Sequence, residues 1–260
     1  MVFPYERYEK LTEPLTVYYP TGEENRARWV LSTVEKAGNL LTELLARPLP
    51  EVHILLVTDA DWMLAPRDDE EDVGALQPYW TAETTPPSLV IPSMLDAIWG
   101  EPTQEKFAFL LYHEIVLAFL EDDPRPWPDD YPLWADEWQL KFAALWLSQR
   151  LDDVQGVVNK DLHEQFAEIF EPEPDGKTPV TVRGFDWYED TTLEDYLEYE
   201  LLLEQFAADL LANYKPEILP RFLALYRVER EKLLSDDVAI MLASVLGPNE
   251  TEWLENLVYF

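Results

Sequence analysis

The chain has 260 residues, of which 47% are hydrophobic and 10 are Trp, and it contains no Cys. That apolar content excludes an intrinsically disordered chain and suffices for one large domain or two lobes, while the missing Cys excludes disulfides, a thiol nucleophile and thiolate metal sites. With 52 acidic against 19 basic residues the formal net charge is -33, which repels nucleic-acid phosphates and anionic membranes.

The amino-terminal MVFPYERYEK has no basic segment followed by an apolar one, and no stretch qualifies as a membrane span, so a soluble, cytoplasmic protein is expected. Leu15 to Tyr19 reads as a short strand closed by Pro20. Thr21 and Glu24 match a capping box for a long helix, in which Trp29, Val30, Val34, Ala37, Leu41, Leu44 and Leu45 recur at helical spacing to about Ala46. Val52 to Thr58 is an apolar, β-branched run of strand length, carrying His53 as a structural histidine at a strand edge. Pro66 to Pro87 reads as a polar loop with room for one short strand near Tyr79, and Ser88 to Ile91, between prolines, as an edge strand. Thr103 caps a helix running to about Glu121, followed by a Pro-rich acidic loop to Pro132.

Leu133 to Leu147 is a second strongly apolar helix, and Asp161 to Phe170 an amphipathic helical piece on which His163-Glu164 reads as solvated. Pro172 to Asp190 is a loop with a strand expected at Val180 to Val182. Thr191 and Glu194 match another capping box, for a helix to about Tyr214. Helices over Pro216 to Glu229, Ser235 to Leu246 and Glu250 to Val258 complete the chain. The fold class is therefore α+β and predominantly helical: a sheet-and-helix lobe over 1–102, then a helical lobe over 103–260. No Gly-rich phosphate loop, Gly-x-Ser-x-Gly or Rossmann signature is present.

Chemistry concentrates in one place. Phe107 to Leu120 (FAFLLYHEIVLAFL) is apolar except for His113 and Glu114 at its middle. Burying two such groups is unfavourable unless they are paired or bind something. Zinc peptidases use a helical His-Glu-x-x-His, whose two histidines lie on one helix face and bind the metal while the glutamate activates its water. Here the second histidine is replaced by Leu117, which cannot ligate. Glu121 lies on the same face but two turns away, too far along the helix for the same ion.

The segment resembles the gluzincins, the superfamily that includes thermolysin and the M1 aminopeptidases. Their third ligand is a glutamate on the next helix, in a Trp-x-x-Glu-Gly-x-Ala segment. This chain has Trp134-Ala135-Asp136-Glu137-Trp138-Gln139-Leu140, in which Trp134 and Glu137 match, while Trp138 replaces the glycine and Leu140 the alanine. The resemblance implies His113 and Glu137 as vestigial metal ligands and Glu114 as the vestigial base. It also implies an antiparallel upstream sheet whose edge strand lines the substrate cleft. A downstream helix tyrosine, Tyr199 or Tyr196, would steady the oxyanion.

A missing ligand and a bulky Trp138 fit a scaffold relieved of catalysis. The sequence therefore points to a non-catalytic pseudopeptidase that binds a protein or peptide, with no cofactor expected and His113 and Glu114 kept as a hydrogen-bonded core pair. Two alternatives stay open: an active zinc metallopeptidase with an atypical ligand set, and an unrelated acidic helical binding or inhibitory protein with a basic partner. The acidity has three readings, namely a solvated surface, adaptation to high salt, or attraction of a basic partner.

Overall fold

Connection length decides strand direction in the sheet. The computed structural model of the protein describes residues 3–68, 76–121, 132–174, 176–185, 191–248 and 250–260. The expected Pro-rich loop before Pro132, with Trp127, lies outside them, as do parts of the loops expected after Pro66 and Pro172. The chain divides into two units, Met1–Asp122 and Asp123–Phe260. The fold is α+β and predominantly helical, as the sequence predicts.

The first unit contains β1 (Glu9–Leu11), β2 (Thr16–Tyr19), α1 (Glu24–Leu45), β3 (His53–Val57), β4 (Tyr79–Thr81), β5 (Ser88–Pro92) and α2 (Gln104–Glu121). The sheet order is β1-β2-β3-β5-β4. The sheet is mixed, not the antiparallel one the resemblance implies. β2, β3 and β5 run parallel to one another, and only β1 and β4, at the two edges, run antiparallel to their neighbours. The cause is α1, whose 22 residues form the crossover that parallel pairing of β2 and β3 requires. Parallel strands are covered on both faces and read as continuous apolar runs. Ile54, Leu55, Leu56 and Val57 in β3, and Leu89, Val90 and Ile91 in β5, are all buried.

Three expectations change here. β5 is an inner strand, covered by β4, because Thr81 to Ser88 folds back and pairs the short Tyr79–Thr81 segment onto it. His53 opens β3, the central strand, with its ring edge-on to Tyr18 at 5.8 Å. The capping box at Thr21 does not form: Gly22, at φ 91°, turns the chain so that Glu23 is the N-cap, and no side chain caps the helix. By contrast, Thr103 does cap α2, accepting the Lys106 N–H at 3.2 Å.

The second unit comprises α3 (Trp134–Leu151), α4 (Lys160–Gln165), α5 (Leu193–Asn213), α6 (Ile218–Tyr226), α7 (Ser235–Leu246) and α8 (Glu250–Glu255). The two long helices α3 and α5 form its main packed pair. The α5 capping box sits one residue later than expected: Thr192 and Asp195 exchange bonds of 3.1 Å and 2.7 Å. The strand expected at Val180 to Val182 is a turn segment instead. Its backbone is tied to the chain end, Thr178 N–H to Val258 O at 3.1 Å and Val182 N–H to Tyr259 O at 2.8 Å. Phe260 closes the core against Trp134 and Phe206, with ring centroids 5.2 and 4.8 Å away.

Candidate functional site

The first unit holds His113 and Glu114, the second Glu137 and Tyr199, and each pair is described in its own surroundings. α2 is apolar on nearly all sides, so it is buried along its length, and His113, Leu117 and Leu120 form its half-buried stripe at helical spacing. Glu114 is 9% exposed and commits both carboxylate oxygens. Oε1 faces His113 Nδ1 at 2.9 Å, and Oε2 accepts the backbone N–H of Trp80, on β4, at 2.9 Å. The His113-Glu114 core pair expected from the sequence is therefore present, with an edge-strand N–H as its third member.

A carboxylate only accepts, so His113 carries a proton on Nδ1. Its Nε2 is buried with no hydrogen-bond partner among the described residues. Proton placement of this kind is also what orients a metal-ligating histidine. Catalytic zinc, however, takes three protein ligands. α2 offers one open ligand atom, Leu117 supplies none one turn on, and the Glu114 oxygens are occupied. The donor set on α2 does not fit zinc. Among the described residues no group of three or more His, Asp or Glu is placed to hold a metal ion. The gap beside Glu114, lined by Trp80, Leu89, Ile115 and Ala118, has room for about one water.

Trp80 holds α2 twice, because its indole N–H also donates to Glu121. Burial raises the Glu121 pKa against the lowering effect of that bond, with Asp68 and Glu114 adding to the rise. His53 is also displaced, its pKa lowered by burial and by Lys10.

In the second unit, Glu137 opens α3, half-buried. Tyr199 on α5 is fully buried, stacked on Phe185 at 4.2 Å between centroids, and its hydroxyl finds no partner among the described residues. Its pKa is raised by burial first and then by Glu137 and Glu200, so Glu137 and Tyr199 are electrostatic neighbours. Tyr196 is half-buried on the same helix. Trp138 lies wholly in the core, edge-on to Phe222 at 4.9 Å and Phe142 at 5.9 Å.

A charged network absent from the sequence reading joins α3 to α5. Lys141 is 2% exposed and forms an ion pair with Glu200. Burial opposes its charge, but Glu200 together with Glu137 and Glu204 raises its pKa. One turn on, Glu204 accepts from Val158 N, from Asn159 N at 3.2 Å, from Asn159 Nδ2 at 2.9 Å and from His163 Nε2 at 3.3 Å. Burial alone would raise the Glu204 pKa, yet these donors and the His163 charge outweigh it and the pKa falls. His163 is therefore not the solvated residue the sequence suggested. It is anchored between Glu204 and the Phe170 ring, which stacks on it 5.1 Å away with the two planes nearly parallel, while Glu164 is exposed. The signal was available: Lys141, Glu200 and Glu204 each interrupt apolar runs, as His113 and Glu114 do.

Among the described residues, no helix is long and apolar enough to cross a membrane. No protein-family model matches the chain, and no curated protein matches it.

Proposed function

We propose that the chain is a non-catalytic, gluzincin-like protein that acts by binding a protein or peptide, its acidic surface favouring a basic partner. The observation that carries this reading is the state of Glu114. A peptidase needs that carboxylate free to take a proton from metal-bound water. Here both oxygens are spent, one on His113 and one on the Trp80 N–H. The residue in the base position has become a structural tie between α2 and the edge strand. Two further observations support the ancestry and the loss. β4, an antiparallel edge strand, lies against the His-Glu pair through the Trp80 N–H, as an edge strand beside a cleft would, although the edge strand expected from the sequence was Ser88 to Ile91. Leu117 stands where the second metal ligand would.

Zinc analysis and peptide hydrolysis by the purified protein test the reading. The expected result is substoichiometric zinc and no chelator-sensitive cleavage. One zinc per chain with such cleavage overturns it. Ancestry is tested by Leu117→His. It is expected to raise zinc affinity on the order of a thousandfold, given the roughly 10–16 kcal/mol that protein sites invest in zinc. Affinity unchanged from the parent removes the gluzincin account. Binding is tested by titrating a labelled basic peptide. Association that weakens steeply with salt is expected, and none at low salt counts against the partner class.

A further inference from the structure

The three parallel strands end on one side of the sheet, β2 at Tyr19, β3 at Val57 and β5 at Pro92. Open sheets of parallel strands keep their binding crevices outside those carboxyl ends. In the first unit a cavity of about 420 Å³ lies there, within the size range of ligand sites. Met94 and Leu95 line it just after β5, Arg26 and Trp29 from the first turns of α1, and Gln104 and Phe107 from the start of α2. Its walls are largely apolar. Trp29 and Phe107 are half-buried rings 5.7 Å apart, Leu95 is buried, and Met94 is 58% exposed at the rim. The Arg26 guanidinium sits over the Phe107 ring at 5.3 Å and donates to the Pro92 carbonyl, which makes it part of the wall.

The rim is acidic. Glu23 and Asp59 both act on the Arg26 charge, and Asp59 accepts the hydroxyl of Ser93, another lining residue. Glu101 and Glu105 flank the lining segment Pro102 to Gln104 in the chain. All four carboxylates are exposed. Against them stand Arg26 and Lys106, and Lys106 is buried with its ammonium on the Trp99 carbonyl at 2.8 Å. Thr103 already accepts the Lys106 N–H and Glu105 stands in the same first turn, so the start of α2 does not reverse the sign. An apolar hollow with an anionic rim is complementary to an apolar group flanked by cations.

We propose that this cavity receives one large apolar side chain, aromatic or branched, from a Lys/Arg-rich segment of a protein partner, whose cationic flanks lie along Glu23, Asp59, Glu101 and Glu105. The inference rests on the reading that the chain binds a basic protein or peptide, and gives that partner an anchoring point. It uses neither His113 nor Glu114, so it stands apart from the gluzincin ancestry.

The test is calorimetric titration of the full chain at about 10 mM salt, where surface charges are least screened. The probes are the blocked peptide Lys-Lys-Phe-Leu-Lys-Lys, its equally charged Lys-Lys-Ala-Ala-Lys-Lys counterpart, and the acidic Glu-Glu-Phe-Leu-Glu-Glu. The Phe-Leu peptide is expected to bind about tenfold or more tighter than the Ala-Ala one, the scale of burying one large apolar side chain, and the acidic peptide not to bind. Trp29→Ala should abolish that preference. Met94→Ala, at an exposed position that does not risk the fold, should reduce it severalfold. Glu23→Gln with Asp59→Asn should weaken both basic peptides alike and leave their ratio unchanged. Equal binding of the two basic peptides, or a preference that survives Trp29→Ala and Met94→Ala, overturns this anchoring site and leaves the basic-partner reading standing. No binding of either basic peptide overturns both, and acidic binding as tight as basic removes the role of the rim and with it the proposal.

Discussion

Trp80 grips α2 through both of its nitrogens, its backbone N–H on Glu114 Oε2 at 2.9 Å and its indole N–H on Glu121. Glu114 and Glu121 are two helical turns apart, so a single edge-strand residue spans that length of the helix. The edge of a sheet is normally a row of unpaired N–H and C=O groups. In this chain one of those N–H groups is used to tie down the Glu114 carboxylate.

Glu114→Ala should therefore act on stability, not on turnover. It orphans the Trp80 N–H and the His113 Nδ1–H in a buried site and leaves a void, for an expected loss of about 2–4 kcal/mol. Glu114→Gln keeps an acceptor for Trp80 and should cost less than half as much. Urea unfolding of the two variants measures the difference. Equal losses would mean that the charge, not the bond to the edge strand, is what matters.

The Lys141–Glu200 pair makes a sharper prediction because both side chains are almost wholly buried. Breaking such a pair strands one charge, so Lys141→Met alone should cost about 3–5 kcal/mol. Removing both charges, as Lys141→Met with Glu200→Leu, should recover most of that loss. A double variant no more stable than the single one would show that Glu137 and Glu204, which also act on Lys141, need the cation as much as Glu200 does.

What the sequence conveyed follows from which forces act locally. Helix positions, the apolar burial of α2 and the pairing of His113 with Glu114 depend on periodicity and on the cost of lone buried charges, both visible in a linear string. Sheet direction does not, because β5 reads as an edge strand until β4 is known to return onto it. The capping boxes at Thr21 and Thr191 fail for a different reason. The motif is satisfied on paper by any Thr with a Glu three residues later. One turn at Gly22, or a one-residue shift to Thr192 and Asp195, decides which donors it meets. His163 was misread because the helix carrying it is short and amphipathic, whereas its partner Glu204 is distant in sequence. Trp80 offered no signal at all, since its role comes from its backbone N–H.

Charge predicts an unusual response to salt. With a formal net charge of -33, self-repulsion opposes the folded state at low ionic strength. Raising NaCl from about 10 mM to about 1 M shortens the screening length from roughly 30 to 3 Å. The thermal midpoint should rise by roughly 5 °C or more, and buried pairs such as Lys141–Glu200 should be little screened. A midpoint that falls with salt would indicate that exposed ion pairs, such as Arg28 with Glu24, outweigh the repulsion.

Acid titration isolates Glu204. Its folded-state pKa is depressed, since the donors from His163, Asn159 and Val158 outweigh burial. An unfolded Glu titrates near about 4.3. Between that value and the lower folded one, the unfolded chain binds the extra proton, so stability increases with pH across this window. The contribution is complete above about 4.3 and is lost as pH falls through the folded value. Glu121 and Glu198, whose pKa values are raised, have the opposite sign and destabilise as pH rises through their folded values. Glu204→Gln keeps the shape but not the charge. It should lose about 1–3 kcal/mol near neutrality, the worth of hydrogen bonds to a buried charged group. Its deficit relative to the parent should shrink as pH falls below about 4. Urea unfolding of both proteins across that range gives the difference directly, free of the general charge repulsion they share. A deficit that stays constant with pH would mean that Glu204 is held by packing alone and that His163 contributes no charge to it.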